Sequence, residues 1–150
     1  MPEPVRSKDV DWQEWQHNER VRVRSKILND GPDVHMGVCI QELPAGCNTR
    51  PAHYHMKEEE HVFVLKGAMN VRLGKEEYEL SAGDYICFAA GDAQEHCLFN
   101  PNEESCEFVR WGERREDDII VYPDSNKVSV GSLGELYRRE PVDYWDGEET

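Results

Sequence analysis

The sequence predicts an all-β domain, a sandwich or a barrel, and three observations carry that reading. Short apolar runs recur along the chain with turn residues between them. No helical period of useful length competes with them. The only trace is residues 8–17, where Trp12 and Trp15 either sit one turn apart or cap a barrel end from an irregular arm. One hundred and fifty residues, 38% of them apolar and spread along the whole chain, suffice for one folded domain with a real core.

Taken in order, residues 20–27 (RVRVRSKI) alternate charge with Val21, Val23 and Ile27, which makes a strand with one wet face. VHMGVCIQEL (34–43) ends in Pro44-Ala45-Gly46, and HVFVLKGAMNVRL (61–73) ends in Gly74-Lys75. EEYEL (76–80) leads to Ser81-Ala82-Gly83-Asp84, and YICFAA (85–90) to Gly91-Asp92. HCLFN (96–100) leads to Pro101-Asn102, and CEFVRWG (106–112) closes the series. From about Glu113 the chain is charged but still carries Ile119, Ile120, Val121, Tyr122, Leu133, Leu136, Tyr137, Tyr144 and Trp145. An ordered arm, packed on the barrel exterior or on a second subunit, is expected there. The organisation is one domain over 1–150, with a barrel core of about 20–112 and a C-terminal extension of about 113–150.

A net charge of -14, from 31 acidic against 17 basic residues, repels a phosphate backbone, so no nucleic-acid partner is expected. No apolar run has the length of a membrane span and no signal-like apolar stretch opens the chain, so a soluble cytoplasmic protein without a membrane partner is expected. Five cysteines, at 39, 47, 87, 97 and 106, form no zinc-like spacing and read as reduced thiols. Cys87, in an apolar run, is expected in the core.

Chemistry concentrates in PAHYHMKEEEHVFVLKG (51–67). Residues two apart on a strand share a face, so His53 and His55 project together and Tyr54 opposes them. The next strand is expected to run back antiparallel and to set Glu60 beside the histidine pair, with Val62 and Val64 on its face. His61, Phe63 and Leu65 then point the other way, which leaves His61 a structural role; Glu58 and Glu59 read as a solvated turn. A distant segment repeats the logic: GDYICFAAGDAQEHCLFN (83–100) is a strand, a tight turn and a strand opening with His96, which can enter the same cavity. His17 and His35 have no partners by spacing.

These residues resemble the two motifs of the cupin superfamily, and the C-terminal segments DIIVYPDSNKV and PVDYWDGEE resemble the extension of small single-domain bacterial cupins. The first motif, G-x5-HxH-x3,4-E-x6-G, is met by Gly46, His53, His55, Glu60 and Gly67, with six residues before His53. The second, G-x5-PxG-x2-H-x3-N, is met by Gly83, Gly91, His96 and Asn100, with Ala89 for the proline and four residues before His96. The resemblance implies a double-stranded β-helix, a cupin or jelly-roll barrel with N- and C-terminal arms. It implies one divalent metal ion per chain, held by His53, His55, Glu60 and His96. Fe(II) is the expected ion, with Mn, Ni, Co or Zn as alternatives that the donors also suit. Asn100 is expected to fix a turn, and Tyr54, Gln94 and Glu95 are candidates to border the site.

A fold and a metal do not name a reaction. The expectation is a metal-dependent oxygenase, or an isomerase or lyase, acting on a small organic molecule. In the isomerase version Glu95 or Tyr54 moves the proton, and Val62, Val64, Ile86, Phe88 and Leu98 line the pocket. The alternative is a non-catalytic small-molecule-binding or sensor module. Aromatic residues in both arms, Trp12, Trp15, Tyr144 and Trp145, predict a homodimer.

Overall fold

The structure is a computed structural model and describes residues 3–149, so Met1, Pro2 and Thr150 of the expected 1–150 domain lie outside the described residues. It is all-β, as the sequence predicts. In chain order the strands are β1 (Gln13–Gln16), β2 (Arg22–Ile27), β3 (Met36–Leu43), β4 (Tyr54–His55), β5 (Glu60–Lys66) and β6 (Ala68–Leu73). There follow β7 (Glu76–Ser81), β8 (Tyr85–Phe88), β9 (His96–Phe99), β10 (Cys106–Glu113), β11 (Ile119–Tyr122), β12 (Lys127–Val130) and β13 (Glu135–Arg138).

Two antiparallel layers face each other. The first has the order β1-β2-β3-β10-β5-β8. The second is built from β7-β6-β9 and from β13-β12-β11-β4. His53 and His96 join those two pieces: each donates its backbone N–H to the other's carbonyl, at 3.2 and 2.9 Å. The seam of the second layer is therefore made by the backbones of two of the candidate ligands.

Period-two alternation fills the interior. Along β5, Glu60, Val62 and Val64 are buried, while Phe63 and Leu65 face solvent and His61 is half-buried. Leu43, Val62, Val64, Met69, Val71 and Phe108 are fully buried and close one half of the barrel. Burial of each such side chain stabilises by roughly 1.5–3 kcal/mol. Polar donors are thereby confined to the other half.

Three expectations change at this level. Residues 13–16 form a strand rather than a helical turn, because β2 presents an open edge that their backbone pairs with. Trp12 instead lies flat under Arg24 and Lys26, whose cations stand 4.7 and 5.0 Å from its ring. The run 61–73 is two strands in different layers, broken at Gly67, whose φ of +79° is disfavoured for other residues. The C-terminal extension enters the second layer before its end runs out over the surface. Its strand β11 pairs with β4, Ile120 opposite His55 and Val121 opposite Tyr54, and β12 and β13 continue the layer. The reason is hydrogen-bonding supply: buried β4 has backbone groups on the side away from His96 that only an added strand satisfies.

Gly112 lets β10 approach β5 behind the candidate ligand Glu60. A Cβ at Gly112 would stand 2.6 Å from the Glu59 carbonyl oxygen and 3.3 Å from Glu60 Cα. Backbone cannot yield as a side-chain end does, so Gly112→Ala is expected to destabilise the fold by about 1–3 kcal/mol, read as a lowered midpoint in thermal denaturation. A wild-type midpoint would mean the strands are not held this close.

Candidate metal centre

Strands from both layers aim four side chains at one point inside the barrel. His53 and His55 come from the β4 segment, His96 from the start of β9 and Glu60 from the start of β5. The expected antiparallel pairing of the histidine strand with the Glu60 strand is absent among the described residues. β4 pairs with β11, and β5 pairs with β10 and β8. Residues 56–59 cross between layers instead of turning within one. Glu60 therefore faces the histidines across the interior, which gives the same convergence by a different route.

The distances define the cluster. His96 Nε2 lies 2.9 Å from Glu60 Oε2, His55 Nε2 3.3 Å from Glu60 Oε1, and His53 Nε2 4.0 Å from Glu60 Oε2. An ion with bonds of about 2.1 Å in octahedral geometry places neighbouring donors about 3 Å apart and opposed ones about 4.2 Å apart. His53, Glu60 and His96 offer donors that lie within 4.8 Å of one another, and His55 joins them through its 3.3 Å contact with Glu60. His55 Nε2 is buried against Glu60 Oε1, so an ion taken up there would replace a proton on that nitrogen.

Each ring is set from behind. His53 Nδ1 donates to the Pro51 carbonyl at 3.0 Å, which leaves Nε2 free to bind an ion. His55 Nδ1 donates to the carboxylate of Asp118 at 2.6 Å. His96 stacks on Phe88, with ring centres 3.7 Å apart and planes 7° from parallel. Asp118 lies just before β11, is 5% exposed, and also accepts the Lys57 backbone N–H at 2.9 Å. Sequence reasoning missed it. An aspartate ahead of IIVY in a charged segment has no spacing to the histidines that marks it.

Charge is balanced within the cluster. Burial opposes ionisation of Glu60, but hydrogen bonds from His55 and His96 and the Arg110 guanidinium outweigh it and hold the carboxyl far below its usual range. Arg110, from β10, donates to Glu60 Oε1 at 2.7 Å. His53 is depressed to about 4, by burial and then by the charge of His96. His55 is raised to about 9: burial pulls it down, but the carboxylates of Glu60 and Asp118 prevail.

A cavity of about 1020 Å³ opens beside Glu60, with polar and apolar surface in about equal shares. Gln41, Glu58, Glu60 and Arg110 contribute to it, as do Ile27 and Val38. The five apolar residues expected to line the pocket do not line this cavity. Val62, Val64, Phe88 and Leu98 are core residues, with Ile86 packed against them, because strand alternation spends them on closing the barrel. Glu58 is not a solvated turn residue either. Burial, above all, raises its pKa, and its Oε1 accepts the Arg115 N–H at 2.7 Å. Glu95 is engaged by Arg72 at 3.4 Å, and Tyr54 takes the other side of its strand from the two histidines. Tyr122, unforeseen, stands against His53, ring centres 5.9 Å apart. Asn100 fixes the turn after β9, its amide donating to the carbonyls of Leu43 and Glu104 at 3.0 and 2.8 Å. His17 and His35 are exposed, and so is Cys87, which its place on the outer face of β8 removes from the expected core.

Residues 39–112 match the sequence model of the family described as Cupin domain. No curated protein sequence matches the chain. Among solved structures, the chain resembles a provisionally named sugar phosphate isomerase from Acidithiobacillus ferrooxidans, at 26% identity and a TM-score of 0.78, over 87% of this chain and 85% of that one. A protein from Silicibacter pomeroyi named a sugar phosphate isomerase of a cupin superfamily matches at 23% identity and a TM-score of 0.79, over 95% and 98% of the two chains. An oxalate decarboxylase assignment from Thermotoga maritima matches at 19% identity and a TM-score of 0.67, over 75% and 100%.

Metal uptake must release the proton that His55 holds below about pH 9. Near neutral pH, calorimetry in buffers of different ionisation enthalpy is therefore expected to show about one proton released per ion, with affinity rising about tenfold per pH unit until about pH 9. Asp118→Asn is expected to weaken binding by about 10–100-fold and to reduce the release. A pH-independent affinity would contradict the paired, protonated His55.

Proposed function

The chain belongs to the cupin superfamily, and on that premise we propose that it is a metal-dependent isomerase acting on a small hydroxy-carbonyl compound of the sugar phosphate kind. His53, His55, Glu60 and His96 would hold one divalent ion, which when bound supplies Lewis-acid polarisation of a substrate oxygen. The observation that carries the reading is the cavity wall, where a second carboxylate, Glu58, and a cation, Arg110, stand beside the candidate ligand Glu60. Isomerisation of a hydroxy-carbonyl compound needs a base to take a proton from one carbon and return it to its neighbour. Glu58 has the position and the raised basicity for that task. Arg110, 44% exposed toward the cavity, suits an anionic substrate group, although Glu60 shares its charge. The names of the Acidithiobacillus and Silicibacter proteins support the same substrate class.

The oxygenase reading uses the same four ligands with Fe(II), but it requires neither a second carboxylate nor a guanidinium in the cavity. Consumption of dioxygen with a turned-over substrate would favour it. A metal-loaded protein that binds hydroxy-carbonyl phosphates without turnover would favour the binding module.

Elemental analysis of the purified protein is expected to give about one divalent ion per chain, lost in Glu60→Ala and in His96→Ala. A screen of aldose and ketose phosphates is expected to show interconversion by the metal-loaded protein. Glu58→Gln is expected to keep the ion and lower kcat by about 10²–10⁴-fold, the usual contribution of a general base. Retention of full kcat would remove Glu58 from the reaction.

A homodimer is also proposed. Leu133, Leu136, Val142, Tyr144 and Trp145 remain largely exposed toward the C-terminus, as does Trp15 near the N-terminus, more apolar surface than a solitary chain is expected to leave in water. Sedimentation at micromolar concentration is expected to return twice the mass of the chain. A single-chain mass would refute the pairing.

A further inference from the structure

The outer face of the first layer carries a group of donors that shares none with the barrel centre. His61 and Cys87 stand directly opposite each other on the paired strands β5 and β8. Glu59 leads into β5 and brings its Oε1 to 2.7 Å from His61 Nε2. The carboxylate oxygen, the imidazole nitrogen and the thiol sulfur all lie within 4.8 Å of one another.

The imidazole is held by more than the strand. Its ring stacks on Trp111, centres 5.0 Å apart and planes 5° from parallel. Its Nδ1 is hydrogen-bonded to the Tyr85 hydroxyl at 2.7 Å, which fixes Nε2 as the nitrogen facing Glu59 and Cys87. As it stands Nε2 donates to Glu59 and Nδ1 accepts from Tyr85; an ion taking the place of the Nε2 proton would leave Nδ1–H to donate to the Tyr85 oxygen, which holds the ring from behind. A plain surface ion pair has no need of the aromatic shelf or of the tyrosine.

We propose that Glu59, His61 and Cys87 form a second metal site, selective for a borderline or soft divalent ion such as Zn(II) or Co(II). One oxygen, one nitrogen and one sulfur donor suit a tetrahedral ion, with water in the fourth position on the solvent side. Bonds of about 2.0 Å to nitrogen and oxygen and about 2.3 Å to sulfur set such donors about 3.4–3.6 Å apart. Binding therefore lengthens the 2.7 Å Glu59–His61 contact and draws in the exposed Cys87 side chain. The thiol gives up its proton to solvent as the Cys87 sulfur binds, and no redox change is involved. Magnesium and calcium, which take oxygen ligands, are excluded by the donor set. The formal net charge of -14 favours cation uptake generally.

Titration of chelator-treated, fully reduced protein with Co(II) tests the site directly. Two equivalents are expected, one of them bringing a thiolate-to-cobalt charge-transfer band. Cys87→Ser is expected to remove that band and one equivalent. His53→Ala is expected to weaken the other equivalent and leave the band. Tyr85→Phe, which touches no ion, is expected to weaken the thiolate site by about 10–100-fold. A single equivalent that carries the band keeps this site and counts against the barrel centre, whereas the absence of a thiolate band, or a band that survives Cys87→Ser, would overturn the assignment. In the last case the sulfur is elsewhere, Cys39 in the cavity wall being the alternative donor. Failure here leaves the barrel centre untouched, since the two donor sets are disjoint.

Discussion

Glu60 is a carboxylate that is only 6% exposed, and an anion taken out of water must be met by partners or give up its charge. The organisation of the barrel's polar half follows from that demand. His96 and Arg110 hydrogen-bond its two oxygens, and His55 stands close by. Those partners come from β9, β10 and β4, so the compensation ties the two layers together through one side chain. Of the groups that neutralise Glu60, Arg110 also forms part of the wall of the neighbouring cavity. Replacement of Glu60 by an apolar residue would leave a cluster of cations facing one another.

The second layer is built around the same point. β4 is only two residues long, and one of its flanks is the mutual backbone pairing of His53 and His96. A strand so short has little stability of its own. Its other flank is supplied by β11, which delivers Asp118 to His55 at the same time. The extension thus has two roles that cannot be separated. It satisfies the backbone of the histidine strand and orients the histidine ring, while Gly131 holds the Asp118 carbonyl by a 2.9 Å hydrogen bond from its N–H.

How much of this was legible in the sequence depended on the range of the signal. Strands, turns and the inward faces were legible because alternation is a local property, and Glu60, Val62 and Val64 obey it. The candidate ligands His53, His55, Glu60 and His96 were legible as an ordered pair of motifs, and among them His53, Glu60 and His96 form one close group, with His55 beside Glu60. What was not legible rests on contacts between residues far apart in the chain. Asp118 reaches His55 across 63 positions, and Arg110 reaches Glu60 across 50. Glu58 is adjacent to the motif but was read as solvent-facing, because exposure of a turn depends on what covers it. Cys87 was misread for the opposite reason: an apolar neighbourhood suggested burial, although the first layer shows its outer face to solvent.

The same alternation explains how one pair of strands serves two unlike environments. On β10, Arg110 turns inward to Glu60 while Trp111 turns outward to shelve His61; on β5, Glu60 turns inward and His61 outward. Hard and soft donors are thereby segregated by one pleat rather than by distance along the chain. On the two proposals above, an ion that prefers imidazoles and carboxylate would take the barrel interior and one that prefers thiolate the outer face. Gly112 keeps the strands close enough for both arrangements, since it lies against the backbone of Glu59 and Glu60 together. A shift of β10 along β5 by one residue would exchange the faces, turning the Trp111 side chain toward Glu60 and that of Arg110 toward His61. The registration of these two strands is therefore the geometric condition on which the chemistry of both faces rests.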